Sequence, residues 1–181
     1  SLVNAGGSAA KSGTLEMKQY TSGEMMRTRN FYLLLATMFF GLISYFMVSP
    51  VSQTYQIDLG IPSAVAVSAV MLGSIVNAGA RLVLPTLADK VGRIVCIKGV
   101  LIVAVIAMGV LAVSRSLAVT VAVVLMYGCY GGIMGSFPSL TSSIFGMKHT
   151  GENYGFVMFG IVFATFGAPA ISGLVKGIRM G

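Results

Sequence analysis

Residues 77–93 read N-A-G-A-R-L-V-L-P-T-L-A-D-K-V-G-R. The stretch starts inside a long apolar run, carries a single arginine there, Arg81, and leaves the run through a short charged turn, Ala88–Arg93. Apolar runs of about 18 residues or more are long enough to cross a bilayer as helices. The stretch therefore predicts a membrane-spanning helix, with a candidate binding residue inside it and a candidate hinge at its end.

The composition excludes an ordinary soluble domain and makes the lipid bilayer the first expected partner. The 181 residues are 56% hydrophobic and 9% charged, with a mean hydropathy of +0.89, whereas soluble domains carry about a quarter charged residues. The sequence predicts an all-α membrane protein. Residues 1–30 are expected to form a cytoplasmic linker followed by an amphipathic lead-in. Thr21 or Ser22 is expected to cap this lead-in. Segment 52–62 is expected to be a polar loop and segment 137–152 a loop or partial helix. Five transmembrane spans are predicted at about 31–51, 63–88, 94–113, 117–136 and 153–175.

The basic residues are distributed in the way that sets orientation in a membrane. The net charge of +7 lies between apolar runs and not along one soluble face, which argues against nucleic acid as a partner. The positive-inside rule favours a cytoplasmic N-terminus in the plasma (inner) membrane. That orientation places eight basic residues inside (Lys11, Lys18, Arg27, Arg29, Lys90, Arg93, Lys98, Lys148) and three outside (Arg115, Lys176, Arg179).

Residue types that support catalysis or metal binding do not cluster in the sequence. Cys96 and Cys129 lie in apolar runs without metal-ligand spacing, and they are expected to be small buried hydrophobic residues. His149 lies in a charged loop without a paired nucleophile. Because paired carboxylates and nucleophile–base pairs are also missing, we expect no enzyme activity, no cofactor and no metal site.

Arg81 is the charged residue that lies well inside a predicted span. Inserting such a residue costs at least ~2.5–3.5 kcal/mol, so intramembrane charges usually face a cavity or a partner. No acidic residue of the sequence lies at the same depth. Two interpretations stay open: Arg81 binds substrate, or it snorkels to the headgroups near Asp89, about 12 Å further along the helix.

The turn after this span carries Asp89, Lys90, Gly92 and Arg93. An aspartate followed one turn later by an arginine can form a charge network that holds helix ends together, and Gly92 permits a tight reversal. An ordinary positive-inside turn explains the same residues, so the sequence leaves both interpretations open.

The fourth span combines small residues with two tyrosines. Its overlapping GxxxG pairs, Gly128/Gly132 and Gly131/Gly135, predict close helix approach, either as simple packing or as a rocking surface. Tyr127 and Tyr130 are expected either to pack or to wall a cavity. At the start of the fifth span, Asn153 and Tyr154 are expected to act as a helix cap and an interfacial anchor.

The turn also carries a family resemblance. L-A-D-K-V-G-R at 87–93 resembles the major facilitator superfamily signature G-x-L-A-D-x-x-G-R, with Pro85 at the leading glycine position. Four segments together resemble the oxalate/formate antiporter family: T-S-G-E-M-M-R-T-R-N-F-Y (21–32), N-A-G-A-R (77–81), F-P-S-L-T-S-S-I-F-G (137–146) and N-Y-G-F (153–156). The resemblance implies five helices of a six-helix C-terminal half. Its partners would be the N-terminal half and the final helix of an incomplete twelve-helix transporter, built from 3+3 inverted repeats with substrate bound between the halves.

The resemblance also implies roles for individual residues. The family's eighth-helix arginine matches Arg81 as an anion ligand, and a cavity aromatic matches Tyr130. A second cavity aromatic falls on Met134, and the eleventh-helix lysine of oxalate carriers falls on Ile161. With one cation lost, a monocarboxylate held by one arginine fits better than oxalate.

The implied function is secondary active transport of small organic anions by alternating access, with Asp89 and Arg93 latching helix ends. Two alternatives remain. One is a carrier for a sugar, drug or zwitterion, in which Arg81 pairs with an acidic residue of the other half. The other is a membrane subunit that does not transport.

Overall fold

The structure, a computed structural model, describes residues 18–180, with side chains up to residue 174. This part of the chain is all-helical. Residues 1–17, which make up most of the predicted cytoplasmic segment 1–30, lie outside it. The α-helices are α1 (Ser22–Met26), α2 (Arg29–Val48), α3 (Ser52–Asp58), α4 (Ser63–Val91), α5 (Arg93–Val113), α6 (Ala118–Phe145), α7 (Thr150–Val157) and α8 (Phe159–Met180).

The described residues form five segments that are long and apolar enough to cross a membrane. They are Arg29–Asp58, Ser63–Val91, Arg93–Val113, Ala118–Phe145 and Thr150–Leu174. The shortest contains 21 residues, which at ~1.5 Å per residue matches the ~30 Å hydrocarbon core. The expected all-α class with five spans is therefore confirmed.

Two segments expected to be loops are partly helical. The 3-10 turn Ser49–Val51 leads directly into α3, and Pro50 lies in its first turn. A proline at this position does not interrupt the helix, because it removes no hydrogen bond that the helix requires. Tyr55 of α3 donates its hydroxyl proton to the carbonyl of Leu111, at 2.7 Å. This contact holds the end of the first span against the end of α5, and the loop is reduced to residues 59–62.

The fourth span also continues past its expected end at Ser136. Helix α6 runs through Pro138 to Phe145 and ends at Gly146, whose φ of +88° suits a glycine. Phe137 and Phe145 are buried in the core. Dense packing on both sides of Pro138 keeps the helix intact although this residue donates no backbone hydrogen bond.

Glycines set the closest helix contacts. Helix α6 packs most extensively on α4, and α2 packs on α8. A Cβ atom built on Gly131 would overlap the Asn77 carbonyl, and one built on Gly135 would lie 2.6 Å from the carbonyl oxygen of Arg81. The close approach predicted from the GxxxG pairs is therefore confirmed, and it occurs at the level of Arg81 on α4.

The segment before the first span is fixed to the ends of α6 and α7. Tyr20 donates its backbone N–H to Phe145 at 2.9 Å, and its carbonyl accepts from the buried Asn153 amide at 3.0 Å. Ser22 donates to the same Asn153 side chain at 3.2 Å. The expectation that Asn153 caps a helix is wrong, because α7 starts at Thr150 and Asn153 lies inside it.

Helix α1 has the expected N-terminal cap. Thr21 precedes the helix, and its backbone N–H and hydroxyl both donate to the Glu24 carboxylate at 3.0 Å. These bonds, first that from the backbone N–H and then that from the hydroxyl, lower the pKa of Glu24 from its ordinary value of 4.5. The carboxylate of Glu24 is thus stabilised in its charged form at the start of the helix.

Candidate functional site

Arg81 lies near the middle of helix α4, and its side chain is directed towards Asn77. Asn77 is midway between Ser63 and Val91, so Arg81 lies only ~6 Å beyond the helix midpoint. The exposed guanidinium donates from Nε to the Oδ1 atom of Asn77 at 3.1 Å. Asn77 lies one turn further from Asp89 than Arg81 does. The side chain is therefore directed towards the start of α4 and away from Asp89.

The crossing of α4 and α6 places Tyr130 beside this arginine. The guanidinium carbon of Arg81 lies 5.7 Å from the centroid of the Tyr130 ring. This is within cation–π range, which is worth about 0.5–1 kcal/mol at an exposed site. Tyr130 precedes Gly131, the residue that packs on the backbone of Asn77. The two predicted substrate-binding residues are thus in contact in the structure.

Tyr45 of α2 extends this pair into an aromatic stack. Its ring lies parallel to that of Tyr130, with centroids 4.1 Å apart and an interplanar angle of 16°. Phe46 meets Tyr130 edge-on at 5.9 Å, and Tyr127 meets Tyr45 edge-on at 5.1 Å. Sequence analysis missed Tyr45, since only the crossing of α2 and α6 brings it there.

The two tyrosines of the fourth span have different environments. Tyr127 is buried, packs against Gly73 of α4 and shares a hydrogen bond with the Ser49 hydroxyl at 3.2 Å. Tyr130 is half-buried and contacts Arg81. Packing therefore accounts for Tyr127, whereas Tyr130 remains partly exposed beside Arg81.

The surroundings of Arg81 supply hydrogen-bond donors and no negative charge. The ion pairs among residues 18–174 join Arg93 to Asp89 and His149 to Glu152. Arg81 has no carboxylate partner in that range. The phenol ring of Tyr130 lies beside its guanidinium. Guanidinium and phenol groups donate hydrogen bonds, so the arrangement is suited to an anion. Tyr154, for which the sequence suggests an interfacial anchor, is half-buried and packs against the hydrophobic core.

Pro85 affects the backbone directly after Arg81. Lacking an N–H group, Pro85 cannot donate to the Arg81 carbonyl four residues earlier. That carbonyl oxygen is the atom against which Gly135 packs. The α4 hydrogen bond that would end on this carbonyl is therefore absent at the α4–α6 crossing.

The positions where oxalate carriers have further groups are apolar here. Ile161 of α8 and Met134 of α6 are half-buried and pack against the hydrophobic core. From Phe159 to Leu174, the fifth span has no charged residue. Residues 159–174 therefore add no second cation to Arg81.

The charged turn after α4 joins three helices. Arg93 binds the Asp89 carboxylate through Nη2 at 3.2 Å, and its Nη1 donates to the Ser139 carbonyl of α6 at 2.9 Å. Gly92, with a φ of +100°, makes the reversal between α4 and α5. Lys90 is exposed and forms no ion pair in the described region. Exposed i,i+4 ion pairs contribute only about 0.3–0.5 kcal/mol, so the bond to α6 is the distinctive feature.

Comparisons with known proteins agree with this helical arrangement. The family model for the Major Facilitator Superfamily matches residues 5–169. The uncharacterized MFS-type transporter YhjX of Escherichia coli (strain K12) is 32% identical over 146 residues, covering 79% of this chain and 36% of that protein. The oxalate:formate antiporter of Oxalobacter formigenes is 28% identical over 142 residues, covering 77% of this chain and 34% of that protein. The chain spans about a third of the length of these relatives.

Proposed function

We propose, since the chain belongs to the Major Facilitator Superfamily, that it forms part of a secondary active transporter of small organic anions, with monocarboxylates preferred over oxalate. Its family and its five apolar helices make it an integral, multi-pass membrane protein. Transporters of this family are generally not enzymes. The proposal concerns the solute and the way the protein moves it.

The observation that carries the proposal is the environment of Arg81. A cation near the middle of a span needs a partner, because its insertion costs at least ~2.5–3.5 kcal/mol. Arg81 has an amide oxygen and an aromatic ring beside it and no carboxylate among residues 18–174. A substrate carboxylate supplies the missing negative charge and accepts two parallel hydrogen bonds from the guanidinium.

The number of cations favours a substrate with one carboxylate. A second carboxylate without its own partner would have to leave water at a cost of several kcal/mol. Ile161 and the other residues from Phe159 to Leu174 offer no such partner. One relative is named for both oxalate and formate, and formate is the solute of the two that a single arginine neutralises.

Alternating access needs a second half, which we place opposite the exposed face of Arg81. In this proposal the partners are an N-terminal half and a final helix of the same transporter. The N-terminus lies in the cytoplasm and the protein in the plasma (inner) membrane, as the positive-inside rule favours. The Asp89–Arg93–Ser139 contacts then hold the cytoplasmic helix ends together and break or re-form as the halves rock.

Counterflow in proteoliposomes made with the intact carrier tests the proposal. The solutes are formate, acetate, lactate, pyruvate and oxalate, and the variants are Arg81→Gln, Arg81→Lys and a control, Arg115→Gln. Arg115 is exposed between α5 and α6, far along the sequence from the site. We expect a monocarboxylate to exchange, Arg81→Gln to abolish exchange, and Arg81→Lys to weaken it because the lysine lacks the planar fork.

Three outcomes contradict the proposal. Equal carboxylate exchange by Arg81→Gln and wild type would assign the site to other residues. Absence of exchange of all five carboxylates, without saturable binding of any of them, would assign the carrier to another solute class. Saturable binding without flux would instead indicate a subunit that does not transport.

A further inference from the structure

Asn77 holds the side chain of Arg81 from one helical turn earlier on α4. Its Oδ1 atom accepts the hydrogen bond from the Nε atom of Arg81 at 3.1 Å. The backbone of Asn77 is closely packed, because a Cβ atom built on Gly131 of α6 would lie 2.9 Å from the Asn77 Cα atom. The acceptor of this hydrogen bond is therefore carried by the tight α4–α6 crossing.

The bond to Asn77 leaves most of the guanidinium free to donate. A guanidinium has five N–H groups, and Asn77 accepts from the one on Nε. The N–H groups of Nη1 and Nη2 have no acceptor among residues 18–174. An arginine can hold a carboxylate end-on, through Nη1 and Nη2, or side-on, through Nε and one Nη. Because Asn77 occupies the Nε–H group, the end-on edge is the one left for a ligand.

Tyr130 restrains the same guanidinium from a second direction. Its ring centroid lies 5.7 Å from the Cζ atom of Arg81, and the ring is itself stacked on Tyr45 at 4.1 Å. Arginine side chains have about 2 kcal/mol of rotamer entropy to lose when they are immobilised. A guanidinium held by Asn77 and Tyr130 before the solute arrives therefore binds it at a smaller entropic cost.

The chemical type of residue 77 matters as much as its position. A carboxamide is neutral, so it accepts the hydrogen bond without cancelling the positive charge of Arg81. An aspartate at residue 77 would accept the same bond but would also supply the negative charge that we assign to the solute. Asn77 thus orients the arginine and leaves its charge to be neutralised by the ligand.

We propose that Asn77 is a positioning residue, which presents the Nη1 and Nη2 atoms of Arg81 end-on to the carboxylate of the transported solute. The proposed function is the premise of this inference, which adds the residue that orients the arginine and the edge of the guanidinium that binds. Asn77 acts through Arg81 and does not itself have to contact the solute.

Solid-state NMR on the reconstituted intact carrier distinguishes the two edges. The probe is ¹³C-formate with ¹⁵N-labelled arginine, since the Nε and Nη atoms give separate ¹⁵N signals. End-on binding places the formate carbon within about 4 Å of both Nη atoms and more than about 5 Å from Nε, whereas side-on binding brings Nε within about 4 Å. We expect strong coupling of formate to Nη and weak coupling to Nε, with both signals lost in Arg81→Gln.

Formate counterflow with three variants of α4 gives an independent readout. Asn77→Ala should raise KM about two- to tenfold, as expected for the loss of one hydrogen bond, and should change kcat less. Asn77→Asp, which keeps the size and the acceptor but neutralises Arg81, should raise KM at least about tenfold more than Asn77→Ala does.

The control is Ser68→Ala, which removes a hydroxyl group that donates to the Ala64 carbonyl of the same helix at 2.7 Å. Ser68 lies about 13 Å along α4 from Asn77, so this variant should leave KM unchanged. A purely structural role of Asn77 predicts the opposite order of the two Asn77 variants, because aspartate preserves the side-chain volume and alanine does not.

The possible failures separate this inference from the proposed function. Coupling of formate to Nε as strong as that to Nη in the wild type would overturn the end-on geometry and leave Arg81 as the anion ligand. An unchanged KM in Asn77→Ala, or a smaller effect in Asn77→Asp than in Asn77→Ala, would overturn the positioning role. Saturable formate binding without coupling to any arginine would overturn the proposed function and this inference together.

Discussion

Replacing Gly135 by alanine tests whether the α4–α6 crossing positions Arg81. A Cβ atom at residue 135 would lie 2.9 Å from the Cα atom of Arg81 and 2.6 Å from its carbonyl oxygen. Carbon atoms in contact lie about 3.5–4.0 Å apart, so the two helices must separate by at least about 0.6 Å. Inserting a methyl group into a packed interface costs about 1–3 kcal/mol.

Gly79, on the facing helix α4, provides a matched control. A Cβ atom added there would meet nothing within 4 Å. Alanine also has a higher helix propensity than glycine, by about 0.5–1 kcal/mol. We therefore expect Gly79→Ala to stabilise the protein slightly and Gly135→Ala to destabilise it, although the chemical change is the same.

The first assay measures the midpoint temperature of thermal unfolding of the purified protein. The second measures its affinity for the substrate identified by counterflow. At about 2–4 °C per kcal/mol, Gly135→Ala should lower the midpoint by about 2–12 °C. It should also weaken substrate binding, since Arg81 moves away from the Tyr130 ring. If Gly135→Ala and Gly79→Ala have the same midpoint and affinity, the close crossing does not position the site.

Three further predictions concern contacts around the site and at the N-terminal segment. Tyr45→Phe should keep the ring stacked on Tyr130 and leave the stability unchanged. Tyr45→Ala should lower the free energy of unfolding by on the order of 2 kcal/mol and reduce substrate affinity. Equal substrate affinity of the two variants would rule out a role for the stack. Asn153→Ala should lower stability by about 1–3 kcal/mol, because the Tyr20 carbonyl loses its donor, and faster proteolysis before the first span should accompany the loss. Because the folded-state pKa of Glu24 is lowered, its stabilising effect is present above pH 4.5 and is lost as the pH falls through the folded pKa. Glu24→Gln should remove this part of the acid dependence of the thermal midpoint. An unchanged pH profile in Glu24→Gln would contradict the capping interaction.

Much of the architecture could be predicted from hydrophobic patterning. Spans of about 20 apolar residues separated by charged turns fix a multi-pass helical protein, since a bilayer admits few other structures. L-A-D-K-V-G-R at 87–93 identified the family, and the family match confirms that resemblance. The GxxxG pairs correctly indicated a close helix contact because small residues are what permits one.

Features that depend on tertiary contacts were not accessible in this way. A proline such as Pro138 commonly marks the end of a helix, but packing around it allows α6 to continue to Phe145. Tyr45 looks like any aromatic residue of a span until α2 crosses α6 and stacks it on Tyr130. Asn153 has the sequence context of a helix cap. In the structure its buried side chain instead forms hydrogen bonds to Tyr20 and Ser22 of the N-terminal segment.

The central claim is that the Arg81 guanidinium binds the carboxylate of the transported solute inside the membrane. Solid-state NMR measures this contact directly, through dipolar coupling between ¹⁵N-labelled arginine side chains and ¹³C-carboxyl-labelled formate bound to the reconstituted intact carrier. Hydrogen-bonded guanidinium nitrogen and carboxylate oxygen atoms lie about 2.7–2.9 Å apart, so the nitrogen-to-carbon distance should be below about 4 Å. The account predicts a coupling of that strength that disappears in Arg81→Gln. A coupling that persists in Arg81→Gln, or saturable formate binding without any arginine coupling, would contradict it.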